Sequence, residues 1–521
     1  MQILPSGAQP ATALVLAPFR GLRYAHDRVS GLAEVTSPPY DVIAHDTADH
    51  LLASDPHNVV RLILPRLMAS NTGTALAEAA GPATGGGGRG AGARAERGRP
   101  RSGGGRRAGA GAERGGGTSR AGAGAERGGG TSSAGGRDNR TGANGPGAAW
   151  TGTGYDDAAR LLRAWQDERI LVPDPEPALY VYEQSRAGRG AGAGGPVLQR
   201  GLIGALRLAP LGAGPVLPHE DVIPGPVIGR RQLMEATGAN LEPIFLLYHG
   251  NGQGGAATIV ADVATRREPL LSVDTDDLIR HRLWAVTDPA EQAAIAADLA
   301  SHQALIADGH HRYAAYLQLQ ARKRAAGAGA GPWDAGLALL VDSAAFPPHI
   351  GAIHRVIPGE SPAAAARRAE KAFTVRALGG LSPREALDVL RQAGREHMAF
   401  VVAGGGEFWL LTDPNPAAVA DAMPGKSARW RGLSAAVMQE LLLGRLWGIR
   451  DDEEHVQVHH DALAALHAAG GPSGGTAVLC PPLSTEDVRE VAAHGERVPR
   501  KSTSFAPKPR SGLVLRSFAL G

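Results

Sequence analysis

Cysteine is nearly missing: Cys480 stands alone in 521 residues. No intrachain disulfide is possible, and no cysteine-based metal cluster can be built. Aromatic residues are scarce at 4% of the chain, while glycine accounts for 72 positions. Such composition buries little apolar surface against its ordering entropy, so part of the chain is not expected to fold. No run of 18 consecutive apolar residues occurs, which excludes a helical membrane span. The opening MQILPSGAQPATALVLAPFRG lacks a basic lead-in to its short apolar stretch, so no secretory signal is expected and the protein is read as cytoplasmic.

The poorly folding part is residues 81–149, built almost entirely of Gly, Ala, Arg, Ser and Thr, with RAGAGAERGGGTS repeated at 107–119 and 120–132. A tandem repeat without apolar residues has no face to stack, so it reads as a disordered low-complexity insert and not as a solenoid. The tract holds 12 Arg against 3 Glu and 1 Asp, a net of +8 within a formal total of +3, leaving the rest of the chain at −5. The basic balance therefore belongs to the insert. It is either a tolerated expansion of a surface loop or a weak contact for nucleic acid; the acidic body argues against tight DNA binding.

Around it, NVVRLILPRL (58–67) reads as a buried strand and YDDAARLLRAWQDERIL (155–171) as a helix. Short apolar segments bounded by Gly or Pro predict strands at 178–184, 201–209, 243–249, 257–264 and 336–342. A helix is expected from Asp288, with Pro289 in its first turn and Glu291 as partner in a capping box. Beyond about residue 358, helices near 363–374, 383–395 and 434–447 alternate with strands at 399–404, 408–413 and 476–480. The expectation is an α/β protein with a mixed sheet: an N-terminal catalytic lobe over 12–357, interrupted by the insert, and a second α/β lobe over 358–521.

IADGHHRYAAYLQLQ (306–320) carries the densest chemistry. A short apolar strand runs through Asp308 and Gly309 into a helix whose apolar positions Tyr313, Tyr316, Leu317 and Ala321 keep helical spacing, ending in Arg322, Lys323 and Arg324. The N-terminus of that helix offers free N–H groups and a partial positive charge to a phosphate or carboxylate. Gly309 would let the backbone approach such a ligand, and Arg312 would clamp its oxygens. His310 and His311 would bond the same anion or exchange a proton. Asp308 is read as a magnesium ligand, a base activating a hydroxyl, or the helix N-cap. No HExxH spacing is present, and no metal site is assigned.

Other segments supply candidates. Tyr40 and Asp41 follow Pro38 and Pro39 at a turn, where Asp41 either orients a substrate or caps the next helix; Arg20 precedes Gly21 as a second anion contact or a surface charge. His219 and Glu220 lie on a Pro-bounded loop as a possible acid/base pair, and His354-Arg355 ends a strand. RKSTSFAPKPRSG gathers Arg500, Lys501, Ser502, Thr503, Lys508 and Arg510, a set suited to phosphate although no P-loop glycines precede it.

GHHRYAAYLQL resembles the nucleotide-binding signature of the ParB/sulfiredoxin superfamily. Where sulfiredoxins carry a catalytic cysteine this chain has His310, which speaks against sulfinic acid reduction. A longer series resembles the uncharacterised domain-of-unknown-function family 1015, sometimes labelled ParB-like: APFRGLRY (17–24), SPPYDVI (37–43), WQDERILVPD (165–174), HED (219–221), ANLEPIFLLY (239–248), HRLWAVTD (281–288), IADGHHRY (306–313), IHRVI (353–357) and RKSTSFAPKPRSGLV (500–514). The superfamily includes free-serine kinases. The resemblance thus implies a nucleotide-dependent phosphotransferase using ATP or ADP with Mg2+ on a small hydroxyl-bearing metabolite. Gly309, His311, Arg312, Lys501, Ser502 and Thr503 would hold the nucleotide, Asp308, His310 and Glu220 would do the chemistry, and Arg20, Tyr40, Asp41 and His219 would meet the substrate. A nucleotide-gated DNA-binding scaffold like ParB and a metal-dependent hydrolase are the alternatives.

Overall fold

The computed structural model describes residues 13–65, 153–188, 194–212, 214–252, 254–471 and 474–521. The insert at 81–149, and with it the nucleic-acid contact expected there, lies outside the described residues. Among those described, no helix is long and apolar enough to cross a membrane.

The architecture is α/β with mixed sheets. The largest sheet has nine strands: β1 (Leu16–Ala17), β2 (Leu179–Ala187), β3 (Gly194–Arg207), β4 (Val216–Leu217), β5 (Ile244–Tyr248), β6 (Leu271–Asp274), β7 (Ile279–Val286), β8 (Ala304–Asp308) and β9 (Ala335–Asp342). They lie in the order β4-β8-β5-β9-β3-β2-β7-β6, with β1 beside β3. Only β4 with β8 and β5 with β9 run parallel. The continuous apolar runs of β5 and β9 arise because both sheet faces are covered. Phe245, Leu247, Leu337 and Leu339 enter one core, and Ile244, Leu246, Ala338 and Leu340 the other. Tyr313, Tyr316 and Leu319 from the helix His310–Ala325 pack into the second core.

A six-stranded antiparallel sheet follows: β10 (His354–Pro358), β11 (Thr374–Ala377), β12 (Ala399–Gly404), β13 (Glu407–Thr412), β14 (Gln457–His459) and β15 (Gly475–Leu479), ordered β11-β13-β12-β15-β10-β14. From Ser504 the chain returns to earlier strands. Ser504–Ala506 pairs with His349–Gly351, and Leu515–Ser517 lies between Gly21–Tyr24 and Ala239–Asn240. The segment 507–514, which carries Lys508 and Arg510, is therefore suspended between two anchored strands.

Three local expectations are corrected. Of the strand expected over 58–67, the described residues 58–65 form none: Val60–Ile63 is a short helix, because the Asn58 side chain accepts the Val60 N–H at 2.9 Å and so starts a turn despite the β-branched residues. The expected strand at 257–264 lies inside the helix Gly255–Arg266, where Ala256, Val260 and Val263 are the buried positions. That spacing of four and three is helical, and it outweighs the β-propensity of the residues. Asp288 does cap the helix Pro289–Leu299 through the Ala290 N–H, but Glu291 closes no capping box and pairs with Arg267 instead.

Candidate functional site

The site grows from the end of β8. Ile306 pairs with Leu246 and Asp308 with Phe245, so one extra residue in β8 breaks the register and re-aims the strand end. Gly309 then takes φ 97° and ψ 27°, the left-handed conformation that turns strand into helix. A Cβ there would lie 2.8 Å from Ile244 Cγ2, so the glycine is required by backbone conformation and packing together. Gly309→Ala is expected to lower stability by about 1–3 kcal/mol; a urea midpoint within error of wild type would show that the turn tolerates a side chain. The first intrahelical bond runs from Tyr313 N–H to the Gly309 carbonyl at 2.9 Å. The N–H groups of His310, His311 and Arg312 thus precede the helical ladder at its positive end.

The Asp308 carboxylate does not cap this helix, whose cap residue is Gly309. It receives the Arg312 guanidinium at 2.5 Å and the Lys508 ammonium at 2.6 Å. Lys508 also reaches Asp41, so one ammonium bridges carboxylates more than 260 residues apart in sequence. Gln184 holds the Lys508 carbonyl at 3.1 Å and Gln199 the Pro507 carbonyl at 2.8 Å, which fixes the backbone that presents the lysine. Burial opposes the charge on Asp41, but Lys508 and Arg312 outweigh it and hold the carboxyl below its ordinary range. At Asp308, burial and then the neighbouring Asp41 win, and its carboxyl is pushed upward.

Arg312 departs from the expected phosphate clamp. Its side chain is buried, with one terminal nitrogen on the Pro243 carbonyl at 2.7 Å and the other on Asp308. Tyr40 stacks its ring 3.9 Å from the Arg230 guanidinium and 5.7 Å from that of Arg312, and its N–H donates to Glu242 at 3.0 Å. Arg312 Nε has no partner among the described residues. The guanidinium binds the scaffold and steers Asp308.

The histidines also depart from expectation. His310 Nε2 accepts the backbone N–H of His219 at 3.2 Å, and His311 Nε2 accepts that of Ile223 at 3.1 Å. Burial lowers the pKa of both rings, further depressed at His310 by His219 and at His311 by Lys501. Between those two amides stands Glu220, whose carboxylate accepts the Thr503 hydroxyl at 2.9 Å. Thr503 Oγ1 lies 2.9 Å from His219 Nε2. Burial raises the pKa of Glu220, opposed by Thr503 and Lys501. His219, Glu220 and His310 bring possible metal donors within 4.8 Å of one another. A neutral imidazole has one lone pair on its ring nitrogens, however, and His310 already uses it on the His219 amide.

Lys501 sits at φ 50°, a strained conformation for a residue with a side chain. Arg355 holds it there, donating to the carbonyls of Arg500 and Lys501 at 3.1 Å each. Arg355 is in turn paired with Asp451 at 3.0 Å, with both side chains almost fully buried. The charge of Lys501 is felt at Glu220, His311 and His460.

The structure thus gathers Asp308, Gly309, His310, His311, Arg312, His219, Glu220, Lys501, Thr503, Tyr40 and Asp41. Ser502 turns away to bond the Pro499 carbonyl at 2.6 Å, which removes its hydroxyl from a phosphate. Arg20 is held on the Asp174 carbonyl at 3.0 Å, beside the Arg23–Asp174 pair. His354 accepts the Cys480 N–H at 3.3 Å within the other sheet. Glu242, Arg230 and Asp451 were not expected at the site, and Lys508, expected with the phosphate-binding set, bridges two carboxylates instead. Lys508 stood within the basic RKSTSFAPKPR segment, whereas Asp451 looked like one acid in a polar run.

The family model described as "Protein of unknown function (DUF1015)" matches residues 16–81 and 143–436. No curated protein matches the chain. Among solved structures, a mutant free serine kinase in complex with ADP is similar at 12% identity and a TM-score of 0.30, over 56% of this chain and 84% of that one. SbnI with a C-terminal truncation, from Staphylococcus aureus, gives 10% identity and a TM-score of 0.27, over 56% and 79%. A conserved hypothetical protein from Pyrococcus furiosus gives 12% and 0.29, over 59% and 94%.

Proposed function

We propose that this chain, which belongs to the DUF1015 family of proteins of unknown function, transfers a phosphoryl group from ATP or ADP to the hydroxyl of a small metabolite such as an amino acid. The observation that carries the reading is the meeting of the Glu220 carboxylate with the N-terminus of the helix His310–Ala325 and the Lys501 ammonium. A proton acceptor thereby stands beside an anion-binding terminus and a cation. The helix N–H groups and Lys501 would hold phosphate oxygens. Glu220, raised by burial, would take the acceptor's hydroxyl proton as the oxygen forms its bond to phosphorus and the bond to the departing nucleotide breaks. Asp41 and Asp308 are the carboxylates available to magnesium, which would have to displace Lys508.

Thermal unfolding of the full chain against ATP, ADP, CTP and GTP, with and without magnesium, tests the binding half. A nucleotide at 100 times its dissociation constant should stabilise by about 2.7 kcal/mol. The shift should shrink in Lys501→Ala. If no nucleotide raises the melting temperature, the phosphotransferase reading falls.

A further inference from the structure

We infer that His310 and His311 form a two-point latch: as positioning residues, they accept the amide hydrogens of His219 and Ile223 and so fix the Glu220 carboxylate beside the helix terminus. The significance for catalysis rests on the proposed role of Glu220, while the latch itself rests on geometry alone. Between the two amides, Glu220 is also held by the Thr503 hydroxyl at 2.9 Å, while Asp221 and Val222 are exposed. Glu220 is 28% exposed at its side chain, Val222 38% and Ile223 40%. Packing is therefore weak; the hydrogen bonds at 3.2 and 3.1 Å fix the loop backbone on either side of Glu220, and Thr503 fixes its carboxylate.

Both bonds require the same proton arrangement. An imidazole that accepts at Nε2 carries its hydrogen on Nδ1, so each ring is a neutral, single-tautomer acceptor. At His310 this turns Nδ1–H toward Glu220, with Nδ1 4.0 Å from Oε2. The surroundings keep the rings uncharged. His310 is faced by His219, His311 and Arg497, and His311 by Lys501, Arg312 and Arg230, with Asp41 the opposing charge. Adjacent positions on a helix diverge by about 100°, so the rings grip the loop at points on either side of Glu220. The Val498 N–H adds a bond to the His219 carbonyl at 2.8 Å, securing the first point.

Hydrogen–deuterium exchange on the full chain, followed in peptides covering 217–224, tests the latch without any substrate. His311→Ala should speed exchange there by about tenfold, as expected for amides that lose their partner. His311→Gln, whose amide oxygen reaches the position of Nε2, should restore protection to within about threefold of wild type. At the buried His310 the glutamine variant is the informative one, and it too should keep the His219 amide protected. Unchanged exchange in His311→Ala, or no recovery with glutamine at either position, would overturn the latch. If protection follows the histidines but Glu220→Gln turns over normally, the latch stands and the catalytic reading is what fails.

Discussion

Asp451→Asn should lower the unfolding free energy by about 3–5 kcal/mol, the usual cost of leaving a buried charge without its partner. Arg355 and Asp451 are 1% and 2% exposed at their side chains, so water cannot take the place of the lost carboxylate. The check is a urea midpoint measured with an unchanged slope. A loss below about 1 kcal/mol would mean that the pair is solvated in practice. The double variant Arg355→Met with Asp451→Leu separates stability from function: apolar replacement of a whole buried pair is often neutral or stabilising. Yet it removes the donors to the Arg500 and Lys501 carbonyls. Stability should therefore return while nucleotide binding stays weak. Recovery of both would detach Arg355 from the placement of Lys501.

The second large effect falls on turnover. Glu220→Gln keeps an acceptor for the Thr503 hydroxyl but cannot take a proton, so kcat should fall by about 10²–10⁴ with nucleotide affinity nearly unchanged. Following donor consumption and phosphorylated product by phosphorus NMR gives a direct reading. Asp308 is the weaker candidate for this role, because Arg312 and Lys508 already occupy its oxygens. Should Asp308→Asn abolish turnover and Glu220→Gln spare it, the assignment of the base is reversed.

Much of the scaffold could be read from the residues. Both-face burial wrote itself into GLALLVD and PIFLLY as unbroken apolar runs, and the strand-glycine-helix passage at Asp308–Gly309–His310 was marked by the change from apolar to helical spacing. The failures share a cause. In NVVRLIL and ATIVADVA, β-branched content argued for strands, while an Asn cap in one and a buried stripe in the other argued for helices. At the site, residue types were legible but partners were not. Arg312 looked free to meet a phosphate because nothing local shows that Pro243 and Asp308 take its nitrogens. His310 and His311 looked like donors to a ligand because their acceptor role depends on amides 91 and 88 positions earlier, respectively.

The helices Val60–Ile63 and Thr153–Asp167 pack together, and a Cβ on Gly154 would come within 3.1 Å of the Pro65 carbonyl oxygen. Pro65 and Gly154, on either side of the tract in sequence, thus lie within touching distance. A seam of this kind exerts no pull on the halves it joins, and closure entropy grows only logarithmically with length, by about 0.6 kcal/mol per doubling. Duplication of RAGAGAERGGGTS could therefore proceed with little selection from the folded body. For the same reason the seam is a natural graft point, where a fluorescent reporter or an affinity handle could replace the tract while both flanking helices keep their places.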